Sequence, residues 1–280
     1  ESGLEAGNDW SVSAAMADVD NDGDLDIYVC NYDSPNQLFL NDGAGNFSEK
    51  GFAANLAVIG ASLAPYFADF DADGDLDMFL VTNRFYSPRG YPRELAWEPG
   101  PDGQPRMKDM YAPFFRLVRP PWAKPDDPPF IQEYGQPDRL FRNDGPGTDG
   151  TPRFRDITEG SGLEDVDGHG LSALVFDAND DGRPDVFVAN DYIDADRLWI
   201  NQGPDVDGRI RFKDQTDAHL PYTSWFSMGS DVADVNNDGR LDFFVADMAA
   251  TTHFKAKTSM GEMLGLRKWV LENGWPRQAM

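Results

Sequence analysis

An all-β fold built from repeated four-stranded units is what this 280-residue chain predicts. Three observations carry the prediction: a nine-residue acidic loop written four times, short β-branched or aromatic runs flanking each copy, and a period of about fifty residues. The loops are D-V-D-N-D-G-D-L-D from Asp18, D-F-D-A-D-G-D-L-D from Asp69, D-A-N-D-D-G-R-P-D from Asp177 and D-V-N-N-D-G-R-L-D from Asp234. Each puts Asp or Asn at positions 1, 3, 5 and 9 and Gly at position 6.

That spacing is the ligand spacing of a calcium loop. Oxygens at alternating positions turn inward, the glycine allows the sharp bend, and a carbonyl at position 7 supplies another ligand. The candidate ligands of the first loop are Asp18, Asp20, Asp22 and Asp26, and those of the second are Asp69, Asp71, Asp73 and Asp77. The third loop offers Asp177, Asn179, Asp181 and Asp185, and the fourth Asp234, Asn236, Asp238 and Asp242. Asp24, Asp75, Arg183 and Arg240 are the position-7 residues, expected to act through their carbonyls. Up to four Ca²⁺ ions are therefore expected. An EF-hand is not, because it needs a Glu at position 12 between helices. Here position 12 is Val29, Leu80, Val188 or Val245, inside the runs L-D-I-Y-V-C, L-D-M-F-L-V, P-D-V-F-V-A and L-D-F-F-V-A. These read as buried strands, so each metal loop joins two adjacent strands.

A third element follows in three copies: N-Q-L-F-L-N-D-G from Asn36, D-R-L-F-R-N-D-G from Asp138 and D-R-L-W-I-N-Q-G from Asp196. Each is a strand closing on an Asn-x-Gly hairpin turn, with a returning strand after it. The unit is then about four strands. The loops start 51, 108 and 57 residues apart, so the middle interval holds one unit plus an insertion. A period near fifty with four strands per unit is the signature of propeller blades.

The loops, the V-x-N exits at Asn31, Asn83 and Asn190 (Asp247 in the fourth copy) and the L-F-x-N-x-G hairpins resemble FG-GAP/VCBS repeats, the type that builds the propeller of integrin α subunits. The pattern is similar to the ASPIC/UnbV, or cartilage acidic protein-like, family over nearly all of the chain except residues 83–137 and the last thirty or so. The resemblance implies a calcium-bearing propeller used for extracellular binding, with no single ligand implied. Asn179, Asn236, Arg183 and Arg240 depart from the all-acidic pattern, and so does the insertion. The first and last repeats are cut mid-unit, so residues 1–280 are expected to form an incomplete set of blades from a larger ring.

Composition narrows the partners. The net charge of −25 disfavours nucleic acid and anionic membranes, and no apolar run is long enough to span a bilayer. Cys30 is the single cysteine, so no disulfide forms within the chain; its place in a strand run reads as a small buried hydrophobe. Low-affinity calcium loops suit compartments where calcium is abundant, which points to a secreted, extracellular or periplasmic location. No nucleophile elbow, phosphate loop or zinc motif is present, and His169, His219 and His253 occupy non-equivalent positions without metal-ligand spacing.

The insertion, residues 83–137, holds twelve of the twenty prolines and ten aromatics, with eight basic residues against seven acids. Such a segment reads as irregular chain lying on the propeller rim, and its Tyr, Trp and Arg content also suits a recognition surface for a protein or glycan. Residues 255–273 carry apolar side chains at helical spacing and are expected to form a short helix. The expectation is a non-enzymatic, calcium-stabilised binding or assembly module. Its alternatives are a carbohydrate-active, polysaccharide-lyase-like enzyme on the same fold, or a purely structural subunit of a larger complex.

Overall fold

The computed structural model describes residues 2–5, 7–88, 90, 92, 95–119, 129–133, 135–163, 167–191, 194–224 and 226–248, and the backbone of 278–279. The helix expected over 255–273 lies outside them. What is described is all-β apart from one four-residue helix, α1 (Thr216–His219).

Every acidic loop links two antiparallel strands. The first repeat runs β1 (Trp10–Ala17), β2 (Asp26–Pro35), β3 (Gln37–Asn41) and β4 (Phe47–Glu49). The second begins with β5 (Ile59–Ala68) and β6 (Asp77–Thr82). The insertion then supplies β7 (Trp97–Pro99), β8 (Pro105–Met107), β9 (Phe115–Val118), β10 (Phe130–Glu133) and β11 (Gln136–Pro137). The second repeat resumes with β12 (Arg139–Pro146) and β13 (Pro152–Asp156), and β14 (Asp167–Gly168) pairs with β11. The third repeat is β15 (Gly170–Phe176), β16 (Asp185–Asn190), β17 (Arg197–Pro204) and β18 (Ile210–Asp214), a four-stranded antiparallel meander. After α1 come β19 (Thr223–Ser224), the pair β20 (Ser227–Ala233) and β21 (Asp242–Asp247), and β22 (Gln278–Ala279), whose backbone runs parallel to β19. Tyr32 and Pro35 of β2 also pair with Ala61 and Ile59 of β5, so the first two repeats share one sheet.

The repeats pack through their second strands. In β6, Met78 and Leu80 join Tyr28, Cys30 and Leu38 of the first repeat, while Phe79 and Val81 join Val186, Val188 and Trp199 of the third. In β16 the alternation repeats: Phe187 and Ala189 meet Phe243 and Val245 of β21. All six residues of β6 and of β16 are therefore buried, which is why those runs are apolar on both faces. Each large apolar side chain so buried is worth about 1.5–3 kcal/mol. Among the described residues the two outer repeats are covered on one face only: Met16 of β1 is 67% exposed and Phe244 of β21 is 69% exposed. Cys30 sits in the first cluster as a packing residue, and burial pushes its thiol up to about 12.

Two expectations need correction. The exit position of the second repeat is Thr82, not Asn83. Asn31, Thr82 and Asn190 each lie five residues beyond the position-9 aspartate. Their N–H groups are accepted by Asn36 (2.8 Å), Asp138 (2.8 Å) and Asp196 (2.9 Å). The extra residue in V-T-N shifts the apparent motif by one, and Asn83 instead reaches across to the Gly170 carbonyl at 2.9 Å. The insertion is also less irregular than its prolines suggest. It forms the hairpins β7–β8 and β9–β10 around a small core of Ala96, Tyr111 and Phe115, with Met107, Phe114 and Ile131 against it.

The insertion leaves and re-enters its repeat through a closed neck. Gln136 N–H donates to the Asn83 carbonyl at 2.8 Å, and the Thr82 hydroxyl donates to the Gln136 carbonyl at 2.8 Å. In the first repeat four residues make the same connection, from Asn31 to Asn36. Replacing residues 84–135 with one glycine restores that length, so the shortened chain is expected to keep its strand circular dichroism and to melt within a few degrees of the parent. Outright unfolding would show that the insertion is part of the core.

Asp138 closes this neck and keeps part of its surface exposed, but its carboxyl faces inward. Burial pushes it up to about 7, partly offset by its bonds from Thr82. A carboxyl raised in the folded state binds its proton more tightly there than in the unfolded chain. Stability from this group is thus present below about pH 4 and is lost as pH rises toward 7, at about 1.4 kcal/mol per unit. Asn36 fills the same place in the first repeat without a charge. Asp138→Asn is therefore expected to raise the melting temperature, with a gain that grows from pH 5 to pH 8; a pH-independent difference would refute the assignment.

Candidate metal centres

Four loops with one backbone conformation form the candidate site. Position 4 is left-handed in every copy: Asn21 (φ 59°), Ala72 (61°), Asp180 (61°) and Asn237 (59°). So is the position-6 glycine, at φ 94°, 97°, 83° and 85° for Gly23, Gly74, Gly182 and Gly239. A Cβ at any of these glycines would touch nothing within 4 Å, so conformation alone demands glycine there. The position-1 aspartate ties the turn together. Asp18 accepts from Asp22 N–H (3.1 Å) and Gly23 N–H (3.0 Å), and Asp69, Asp177 and Asp234 repeat both bonds. The position-5 carboxylate accepts the position-7 N–H in each copy.

The position-9 aspartate works at the strand side. Asp26 accepts Val19 N–H with one oxygen (3.0 Å) and Asn41 N–H with the other (2.9 Å). Asp77 does the same with Phe70 and Asn143, and Asp185 with Ala178 and Asn201. Asp242 accepts Val235 N–H. The first three are at most 1% exposed. Burial raises Asp26 and Asp185 above the usual carboxylate range and takes Asp77 to about 7.

Position 3 separates the loops into two pairs. In the first loop, Asp18, Asp20 and Asp22 each bring a carboxylate oxygen within 4.8 Å of the others, and in the second Asp69, Asp71 and Asp77 do so. Asp20 Oδ1 and Asp71 Oδ1 are sealed from solvent and accept no hydrogen bond. Burial, with the charges of Asp26 and Asp22 behind it, pushes Asp20 up to about 6; burial first, then Asp73, raises Asp71. Buried oxygens of one sign, one of them orphaned, are what a hard oxygen-seeking cation satisfies, so these residues fit Ca²⁺. Among the described residues the third and fourth loops form no such acid trio. Their position-3 amides are turned: Asn179 accepts Asp181 N–H at 3.0 Å and donates to the Asp181 carboxylate at 2.9 Å, and Asn236 treats Asp238 alike at 2.8 and 3.2 Å.

Sequence comparison meets the same residues. The FG-GAP-like repeat family matches residues 18–80 and 177–245, each span opening on a position-1 aspartate. The chain carries FG-GAP-like repeats. Among curated proteins it is similar to cartilage acidic protein 1 of Xenopus tropicalis, 32% identical over 125 residues, and to the human protein, 30% identical over 125 residues. Each match covers 43% of this chain and 17% of the relative, so the chain spans a small part of those proteins. Among solved structures it is similar to the V. cholerae biofilm matrix protein Bap1 (19% identity, TM-score 0.32, covering 85% of this chain and 35% of that one). An Agrocybe aegerita lectin that recognises non-reducing terminal N-acetylglucosamine also matches (17% identity, TM-score 0.28, 84% and 60%). At these scores the likeness carries no functional weight.

The hairpin asparagines hold a role that the loop motif does not reveal. Asn143 donates its side-chain amide to the Val19 carbonyl of the preceding repeat at 3.0 Å, and Asn201 donates to the Phe70 carbonyl at 2.9 Å. Asn143 lies in an L-F-x-N-x-G turn and Asn201 in its L-W-x-N-x-G counterpart, and that recurrence is the signal that marks them. The position-7 side chains also matter. Asp75 accepts from Asn21 of the neighbouring loop at 2.7 Å, whereas Arg183 pairs with the Asp181 carboxylate and donates to the Asn201 carbonyl at 3.0 Å.

An arginine on a position-5 ligand competes with a cation for it. Calcium titration is therefore expected to resolve a tighter pair of sites, lost from Asp22→Ala and Asp73→Ala, and a weaker pair, reduced in Asp238→Ala. The gap follows from ligand charge count, one of the tuners of calcium affinity. Arg183→Ala should tighten the third loop. Equal affinities, or a tighter third and fourth loop, would show that rigidity rather than ligand charge is in control.

Proposed function

We propose that this chain is a calcium-stabilised binding and assembly module: blades of a larger propeller, displayed outside the cytosol and without catalysis of its own. The observation that carries the reading is the orphaned, buried oxygen of Asp20 and of Asp71 inside a carboxylate trio. Ca²⁺ would be held by Asp18, Asp20, Asp22 and Asp26 with the Asp24 carbonyl, and by the corresponding residues of the other loops. When bound, it supplies the positive charge that lets those carboxylates stay close together. The repeated sheets packed face to face, with one face of each outer repeat still exposed, support further blades on either side.

The non-enzymatic part rests on chemistry. His169 and Asp194 are paired, yet His169 is 1% exposed and its ring is closed to a substrate. The position-1, -5 and -9 carboxylates are committed to backbone N–H groups. No helix among the described residues is long and apolar enough to cross a membrane, and with a net charge of −25 the partner is a protein or glycan rather than nucleic acid. Residues 83–137 are the proposed partner surface.

Removing calcium tests the reading. A site at ten times its Kd contributes about 1.4 kcal/mol, so two well-formed loops contribute about 3 kcal/mol and four about 5–6. For a domain of this size EGTA should lower the melting temperature by roughly 6–12 °C or more. A melting temperature indifferent to calcium would overturn it.

A further inference from the structure

Far from the acidic loops, the first repeat carries an aromatic surface that its repeat does not require. Trp10 of β1 faces Tyr32 of β2 across the ladder, ring centroids 5.3 Å apart. Tyr32 also touches Phe85 (5.8 Å) and Tyr86 (6.0 Å) from the first residues of the insertion, and its hydroxyl accepts the Tyr86 N–H. Beside these rings Arg84 lies with its guanidinium 5.3 Å from the Tyr86 ring centre and its Nε 3.4 Å from the Glu133 carboxylate. Trp10 is 68% exposed and Tyr86 57%.

The other repeats act as internal controls. The positions paired as Trp10 and Tyr32 are occupied by Ala61 and Asn83, His169 and Asp191, and Phe226 and Met248, joined each time by the same backbone bond. Strand pairing therefore accepts almost any residue there, and an exposed Trp–Tyr pair has no structural cause in the repeat. The rings are also not on the outward face that another blade would cover. Tyr32 continues the alternation Tyr28, Cys30, which faces the second repeat, whereas Met16 pairs with Ile27 on the opposite side. The surface sits above the junction of the first two repeats, six residues or about 20 Å along β2 from the first acidic loop.

We propose that Trp10, Tyr32, Tyr86, Arg84 and Glu133 form a subsite for a neutral saccharide. The C–H-rich face of a pyranose stacks on exposed indole and phenol rings, which offer an apolar face with a polar edge. Vicinal hydroxyls are donors and acceptors at once, and the adjacent guanidinium donates while the carboxylate beside it accepts. The ion pair is neutral and the chain is strongly acidic, so sulfated or uronic polymers are repelled and uncharged sugars are not. Size argues the same way. The two exposed rings offer on the order of 300 Å², short of the roughly 800 Å² per partner of a stable protein interface. The inference rests on the binding-module reading and names the ligand class of one surface on it.

The test uses the calcium-loaded chain with hexamers of glucose, N-acetylglucosamine, mannose and galactose, and with heparin and polygalacturonate as anionic probes. Calorimetry and tryptophan fluorescence report binding. At least one neutral hexamer should bind, with affinity reduced tenfold or more in Trp10→Ala and in Tyr86→Ala, while melting temperature and calcium binding stay at parental values. Tyr86 lies in the insertion, so the second variant remains informative if the first folds poorly. The proposal is overturned if no neutral hexamer binds, if the anionic polymers bind better, if both variants bind as the parent does, or if the two substitutions abolish only capture of a protein partner. Calcium-dependent melting without sugar binding would sink this site alone, and sugar binding without calcium-dependent melting would sink the module's calcium reading alone.

Discussion

The structure depends on a buried aspartate at the end of each of the first three acidic loops. Asp26, Asp77 and Asp185 each accept one N–H from the start of their own loop and one from the hairpin asparagine on the strand paired beside their own. A carboxylate taken out of water is costly unless both oxygens are satisfied. Here two backbone donors do this, and in doing so they lock the loop, the second strand and the third strand into one register. Hairpin asparagines then carry the constraint onward: Asn143 and Asn201 spend their amide groups on the carbonyl of the preceding repeat's loop. The acidic loop is thus a joint between repeats as well as a bend within one.

That joint explains why the repeats behave as a stack. Apolar side chains alternate to both faces of β6 and β16 and fill the gaps on either side, but apolar packing alone is not directional. The asparagine bonds supply the direction. Cation binding fits the same arrangement: the loops' carboxylates are drawn together by backbone donors, and the residual like-charge repulsion falls on Asp20 and Asp71, whose orphaned oxygens face no donor. In the third and fourth loops the repulsion is relieved internally by Asn179 and Asn236, and in the third also by Arg183.

The insertion shows how a repeat tolerates a long excursion. Its ends meet at Thr82, Gln136 and Asp138 through the bonds that the first repeat makes with four residues, so the added chain imposes little on the sheet. Hairpins and a small aromatic core keep it ordered at least in part without help from the repeats. Where it departs from the neck, Phe85 and Tyr86 fold back over Tyr32 and create a surface absent from the other copies.

The all-β class, the strand–loop–strand unit, the hairpins and the shared turn of the acidic loops were legible in the sequence, because each follows from local chemistry: alternating oxygens, a glycine where φ must be positive, and apolar runs four to six residues long. The same local reading misplaced the second exit by one residue, since V-T-N imitates V-C-N and only the bond to Asp138 reveals Thr82 as its counterpart. It also took the proline-rich insertion as irregular, because pairing between β9 and β10 joins segments too far apart for a periodicity to show. Which position-3 residue is orphaned and which is self-satisfied, which asparagine reaches the neighbouring repeat, and which four aromatics meet were decided by tertiary structure alone. Those are contacts between segments distant in the chain, and no spacing along a sequence encodes a distance across it.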